Sequence, residues 1–132
     1  MIKAVIFDCF GVLTSDTWKE FLTTVDQNQR DEIRSVHMAY DKGFISYTDF
    51  RKQLTELTKV ANSVIDNIFI HRSEKPKNTQ LLEYIKSLGE KYKVSILSNV
   101  GTDWIRESFL TSQETVLFTD MVLSFEVGLS KP

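Results

Sequence analysis

The stretch VIFDCFGVLTSD, residues 5–16, runs three apolar side chains, Val5, Ile6 and Phe7, straight into the carboxylate of Asp8, and a glycine turn follows at once. With Lys3 and Ala4 before it, the run KAVIFD is β-branched and aromatic and has too few polar positions for a half-exposed strand. It predicts a strand buried on both faces, as in parallel sheets. Open α/β sheets bind ligands outside the carboxyl ends of their strands, where Asp8 falls. A carboxylate there can act as a nucleophile, a metal ligand or a general base, and no adjacent arginine pairs it structurally. The structural alternative is an Asx-type turn that caps the following loop.

Outward from that stretch, the bulk properties narrow the function classes. A chain of 132 residues is about one domain. The formal charge is −2, the charged fraction 26% and the pI near 5.7, so no basic field invites nucleic acid or an anionic membrane surface. No window approaches the roughly 18 apolar residues of a membrane span. Cys9 is the sole cysteine, which excludes an intrachain disulfide and fits a reducing compartment. The start MIKAVIFD has no apolar signal region. These features predict a soluble cytoplasmic protein.

Residues 16–72 read as all-helical. Trp18, Phe21, Leu22 and Val25 recur at helical spacing after Asp16; Ile33, Val36 and Tyr40 do so before Gly43, a helix stop. Ser46 and Asp49 form a capping-box-like start to a helix carrying Phe50, Leu54 and Leu57, and Val64, Ile65, Ile68 and Phe69 mark a fourth. SEKPKN, residues 73–78, is a polar linker and the best internal boundary. An amphipathic helix through Leu81, Leu82, Ile85 and Leu88 then feeds a second buried strand, KVSILSN, ending at Ser98 and Asn99. GTDWIRESFL predicts a helix capped by Thr102 or Asp103, and DMVLSFEVG a third strand. Alternation of helix and apolar strand implies an α/β layer with a parallel sheet.

In this order, VIFDCFGVLTSD, VSILSN (94–99) and GLSKP (128–132) resemble the first three motifs of the haloacid dehalogenase-like (HAD) hydrolase superfamily, across essentially the whole chain. The resemblance implies a partial Rossmann-like parallel sheet, built from residues 1–14 and 76–132, with an all-helical cap inserted at 15–75. It points to subfamily I with a helical C1 cap, in the sugar-phosphatase or epoxide-hydrolase-phosphatase branch. Asp8 is then the nucleophile and a ligand of Mg²⁺, Lys131 the charge-neutralising catalytic lysine, and Ser98 and Asn99 phosphate-binding residues. The backbone around Phe10 and Gly11 approaches phosphate, and the Phe10 carbonyl binds the metal. The implied reaction is hydrolysis of a small phosphorylated metabolite through an aspartyl phosphate.

The chain departs from the pattern twice. Phe10 stands where family phosphatases carry a general acid and base, and an aromatic there is also what metal-independent 2-haloacid dehalogenases show. Val12, in place of their threonine, favours the phosphatase branch. The fourth, acidic motif has no counterpart before Pro132, so a truncated chain of reduced activity is expected, with the first strand left as a sheet edge that favours self-association. A non-catalytic remnant or binding module is the remaining alternative. Cys9 reads as core filler. His37 and His71 lack metal-ligand spacing and read as surface or packing residues, while Trp18, His37, Tyr40 and Tyr47 lie on the insert where they could contact substrate.

Overall fold

Three apolar runs pair side by side in a computed structural model that describes residues 1–71 and 76–132. The strands β1 (Ala4–Phe7), β2 (Lys93–Ser98) and β3 (Asp120–Leu123) form a parallel sheet in the order β1-β2-β3. Phe7 lies opposite Ile96, and Ser98 opposite Leu123. All three strands therefore end at the same edge of the sheet, and the residues that follow them are brought together there. The α/β class read from the alternation of elements is the class observed.

Helices cover one face of this sheet. Val94, Ile96 and Leu123 pack against Leu82 and Ile85 of α5 (Thr79–Leu88) and against Ile105 and Phe109 of a single π-helical turn, Ile105–Phe109. Cys9 is fully buried in the same cluster, as core filler should be. The opposite face carries Ile6, 64% exposed, and Val122, 42% exposed. The expectation that β1 is buried on both faces is thus corrected: β1 is an edge strand, alternating exposed and half-buried residues. Its composition suits burial, but one layer of helices and a single neighbouring strand cannot cover both of its faces.

Between β1 and α5 lie the helices α1 (Thr17–Thr24), α2 (Arg30–Asp41), α3 (Tyr47–Thr58) and α4 (Asn62–Phe69). Each apolar stripe turns inward to a second core of Phe21, Ile33, Tyr40, Phe50, Leu54, Ile65 and Phe69. Local chemistry sets several boundaries. Asp16 accepts from the Lys19 amide at 3.1 Å and starts α1, and the Ser46 hydroxyl accepts from the Asp49 amide at 3.1 Å and starts α3. Gly43, at φ +72°, lets the chain turn out of α2 with its amide on the Tyr40 carbonyl.

Two expected elements differ. The run DMVLSFEVG is a strand only to Leu123; Ser124–Val127 is a short helical turn, α7, at whose head the Ser124 hydroxyl accepts from the Val100 amide. The helix expected after GTD has neither Thr102 nor Asp103 as a side-chain cap: it begins beyond Trp104 with no such cap. A further short turn, α6 (Ser112–Thr115), carries a capping box between Thr111 and Glu114. Of the linker 73–78, residues 73–75 lie outside the described residues.

Its other half joins the two chain crossings between the cores. The Asn78 amide donates to the Leu13 carbonyl at 2.8 Å, its side-chain amide to the Val12 carbonyl at 3.3 Å, and the Thr14 hydroxyl to the Pro76 carbonyl at 3.2 Å. Asn78 also caps α5, accepting from the Leu81 amide at 3.1 Å. Asn78→Ala removes the cap and the tie to Val12 together, so urea denaturation should show a loss of about 1–2 kcal/mol. Asn78→Asp, which keeps the acceptor, should recover most of the capping part.

Candidate active site

Asp8 follows the last residue of β1, and both its carboxylate oxygens are held. Oδ1 accepts from the Cys9 amide at 2.7 Å, and Oδ2 lies 2.8 Å from Lys131 Nζ. The Lys131 ammonium also donates to the Leu97 carbonyl at 2.9 Å, on the neighbouring strand. Asn99, just past β2, fixes the lysine from the other side: its side-chain oxygen accepts from the Lys131 amide at 2.8 Å and its nitrogen donates to the Lys131 carbonyl at 3.2 Å. The strand ends thus supply an oriented carboxylate, a cation against it and a clamp on the cation. The Asp8 side chain remains 44% exposed, accessible to a ligand.

Above this edge lies a cleft of about 440 Å³. Asp8, Phe10, Asn99 and Lys131 line it from the sheet, and Asp16, Trp18, His37, Asp41 and Ile68 from the helices. His37 Nε2 stands 3.5 Å from Asp41 Oδ2, and the imidazole stacks on the Trp18 indole with ring centres 4.0 Å apart. The Phe10 ring lies nearly parallel to Trp104, 5.8 Å away, and Trp104 in turn stacks on Phe109. Two sequence-nominated residues stand back from the cleft. Ser98 is buried beneath it, and its hydroxyl makes no hydrogen bond to any described residue. Gly11, at φ +78°, spends its amide on the Thr14 carbonyl at 2.7 Å, closing a turn in which the Cys9 carbonyl accepts from the amides of Leu13 and Thr14. That turn is why a glycine stands here, since a side chain at this φ would be strained.

No family model matches the sequence, and no curated protein matches it. Solved structures do. An HAD family enzyme from Bacteroides thetaiotaomicron, solved as a magnesium complex, superposes with a TM-score of 0.70 at 26% identity, over 99% of this chain and 72% of that one. This chain belongs to the haloacid dehalogenase-like superfamily. An HAD-like hydrolase from Porphyromonas gingivalis shares the fold with a TM-score of 0.67 at 18% identity, over 100% of this chain and 71% of that one. So does a 2-haloacid dehalogenase from Pseudomonas syringae, with a TM-score of 0.55 at 16% identity, over 100% of this chain and 68% of that one.

In this HAD-like chain the helices over the strand ends are fastened through the end of α2. The Ser124 hydroxyl donates to the Asp41 carbonyl, and Tyr40 packs onto Gly101 in the loop after β2. A Cβ at Gly43 would lie 2.8 Å from the Phe125 carbonyl oxygen, so backbone meets backbone there. These contacts hold the end of α2, with His37 and Asp41, in the wall of the cleft that Asp8 also lines. Of the four aromatic candidates on the insert, Trp18 and His37 line the cleft. Tyr40 and Tyr47 belong to the helical core, where burial and a hydrogen bond to Asp66 push the Tyr47 hydroxyl pKa up and keep it a neutral donor. His71 is exposed and lies outside the cleft lining. The sequence marks Asp16 only as a helix start and gives Asp41 no motif of its own. The signal for Asp41 was its place four residues after His37 on one helical face.

Gly101→Ala would drive its methyl into the Tyr40 ring and push α2 off the sheet layer. The expected cost is about 1–3 kcal/mol in denaturant unfolding, with a changed near-ultraviolet signal from the displaced aromatics.

Proposed function

We propose that this chain is a Mg²⁺-dependent phosphohydrolase acting on a small phosphorylated molecule, with Asp8 as the nucleophile. The observation that carries this reading is the Asp8–Lys131 pair at the open end of a parallel sheet, beneath a cleft of small-molecule size. The helices α1 to α4 act as the cap that closes over substrate and sets its identity. A carboxylate oxygen of Asp8 attacks phosphorus, the bond from phosphorus to the ester oxygen breaks, and an alcohol leaves. Water then attacks the aspartyl phosphate, its phosphorus–carboxylate bond breaks, and inorganic phosphate and free Asp8 return.

Lys131 holds the carboxylate in place and offsets charge on the transferring group, aided by the Asn99 clamp that fixes its backbone. Ser98 and the amides opening the turn after Asn99 are the groups proposed to bind phosphate oxygens; the unpartnered, buried Ser98 hydroxyl suits a role as donor once the site rearranges around a ligand. Mg²⁺ would be held by the Asp8 carboxylate and the Phe10 carbonyl, hard oxygen donors of the kind it takes. Among the described residues no cluster of three acidic, histidine or cysteine side chains is available to complete a cage. When bound, Mg²⁺ withdraws charge from the phosphoryl group.

Purified protein should release p-nitrophenol from p-nitrophenyl phosphate with Mg²⁺ and stop when EDTA is added. Asp8→Asn should lower the rate by at least about 10³-fold while leaving the melting temperature within a few degrees, a surface change by its exposure. EDTA-insensitive halide release from 2-haloacids, with no phosphatase activity, would instead select the dehalogenase chemistry.

A further inference from the structure

Both half-reactions move a proton, and Phe10 has no group that can carry one. An alcohol departs as a poor leaving group unless its oxygen is protonated, and water attacks poorly unless it loses a proton. Of the titratable groups lining the cleft, Asp8 is engaged as the nucleophile. Lys131 is bound to Asp8 and to the Leu97 carbonyl, and Asp16 accepts from the Lys19 amide at the head of α1. Asp41 is buried, with its side chain 8% exposed. His37 is left, an imidazole on the cleft wall opposite the sheet edge, with a carboxylate 3.5 Å from its Nε2.

We propose that His37, oriented by Asp41, is the proton donor and acceptor of this cleft, supplying from the helical layer what position 10 lacks in the sheet layer. This role rests on the phosphohydrolase reading. As the phosphorus–ester oxygen bond breaks, the imidazolium gives its proton to the departing oxygen, leaving neutral imidazole. As water attacks the aspartyl phosphate, that imidazole takes the water's proton and the imidazolium is restored. Asp41 stabilises the positive ring and holds its orientation, as a buried carboxylate behind a catalytic histidine does.

The surroundings favour the assignment. The ring is stacked on Trp18 of α1 and flanked by Phe50 of α3 and Phe69 of α4, so it is held in one plane by aromatic faces. Among the described residues lining the cleft, the charged groups facing it are Asp41 on its own helix, Asp16 at the head of α1, and Asp8 with Lys131 across the opening. The Asp41 carbonyl is tied to Ser124 beside β3, so the pair is referenced to the sheet that carries Asp8.

The test compares two esters in the presence of Mg²⁺. p-Nitrophenolate leaves without a proton, whereas the alcohol of glycerol 3-phosphate needs one. His37→Gln should lower kcat/KM, which reports the step that expels the leaving group, on glycerol 3-phosphate by about 100-fold and on p-nitrophenyl phosphate by less than about threefold, with the pH dependence of the alkyl ester flattened. Equal losses on both esters would mark a structural role and overturn the proposal, as would an unchanged rate on the alkyl ester. Absence of turnover by the unmodified protein on both esters overturns the phosphohydrolase reading and this role with it, whereas turnover insensitive to His37→Gln overturns this role alone. Should the variant fail to fold, NMR of the unmodified chain decides: saturating inorganic phosphate should shift the His37 ring resonances, and unmoved resonances overturn the proposal.

Discussion

The parallel pairing of β1 with β2 and of β2 with β3 is the constraint from which the site follows. Parallel strands all end at one edge, so residues far apart in the chain are delivered to the same place without any direct contact in sequence. Asp8 follows β1, Asn99 follows β2, and Lys131 returns to that edge shortly after β3 and its helical turn. An antiparallel arrangement would have sent one of the three to the opposite side. The ion pair and the amide clamp are then short-range consequences of a long-range register.

A second layer completes the cleft. The helices α1 to α4 fold around their own aromatic core, and their position over the strand ends depends on a few close contacts. Tyr40 lies on Gly101, the α2 turn meets the Phe125 backbone, and Ser124 bridges the Asp41 carbonyl and Val100. The two crossings of the chain are stitched together by Asn78, Leu13, Thr14 and Pro76. Small residues and backbone groups dominate these contacts because only they allow such close approach. The sheet's other face, with Ile6 and Val122 exposed, is left uncovered by the described residues.

Much of this was legible in the sequence because it is periodic or punctuated. Helical stripes such as Phe50, Leu54 and Leu57 and the Ser46 cap identify their elements directly, and the run KAVIFD puts Asp8 at a strand end, where open α/β sheets bind ligands. Less was legible where burial is decided from a distance. The composition of β1 is that of a doubly covered strand, yet nothing local to it states how many layers will pack on it. Just past the end of β3 at Leu123, Ser124 pairs with Val100, a partner 24 residues away that nothing local announces.

The sequence by itself determined the class of fold and the order of the motifs and put Asp8 and Asn99 just past strand ends, since apolar period, turn chemistry and strand-end position are properties of neighbours along the chain. Only the tertiary structure decided that Asn99 grips the Lys131 backbone, that the Gly11 amide closes a turn, and that His37 and Asp41 face the strand ends. Helical spacing places a histidine on a face of its helix. Which face meets the sheet is settled by packing between elements distant in sequence, and that packing puts His37, which the sequence leaves as either a packing residue or a substrate contact, in the wall of the cleft.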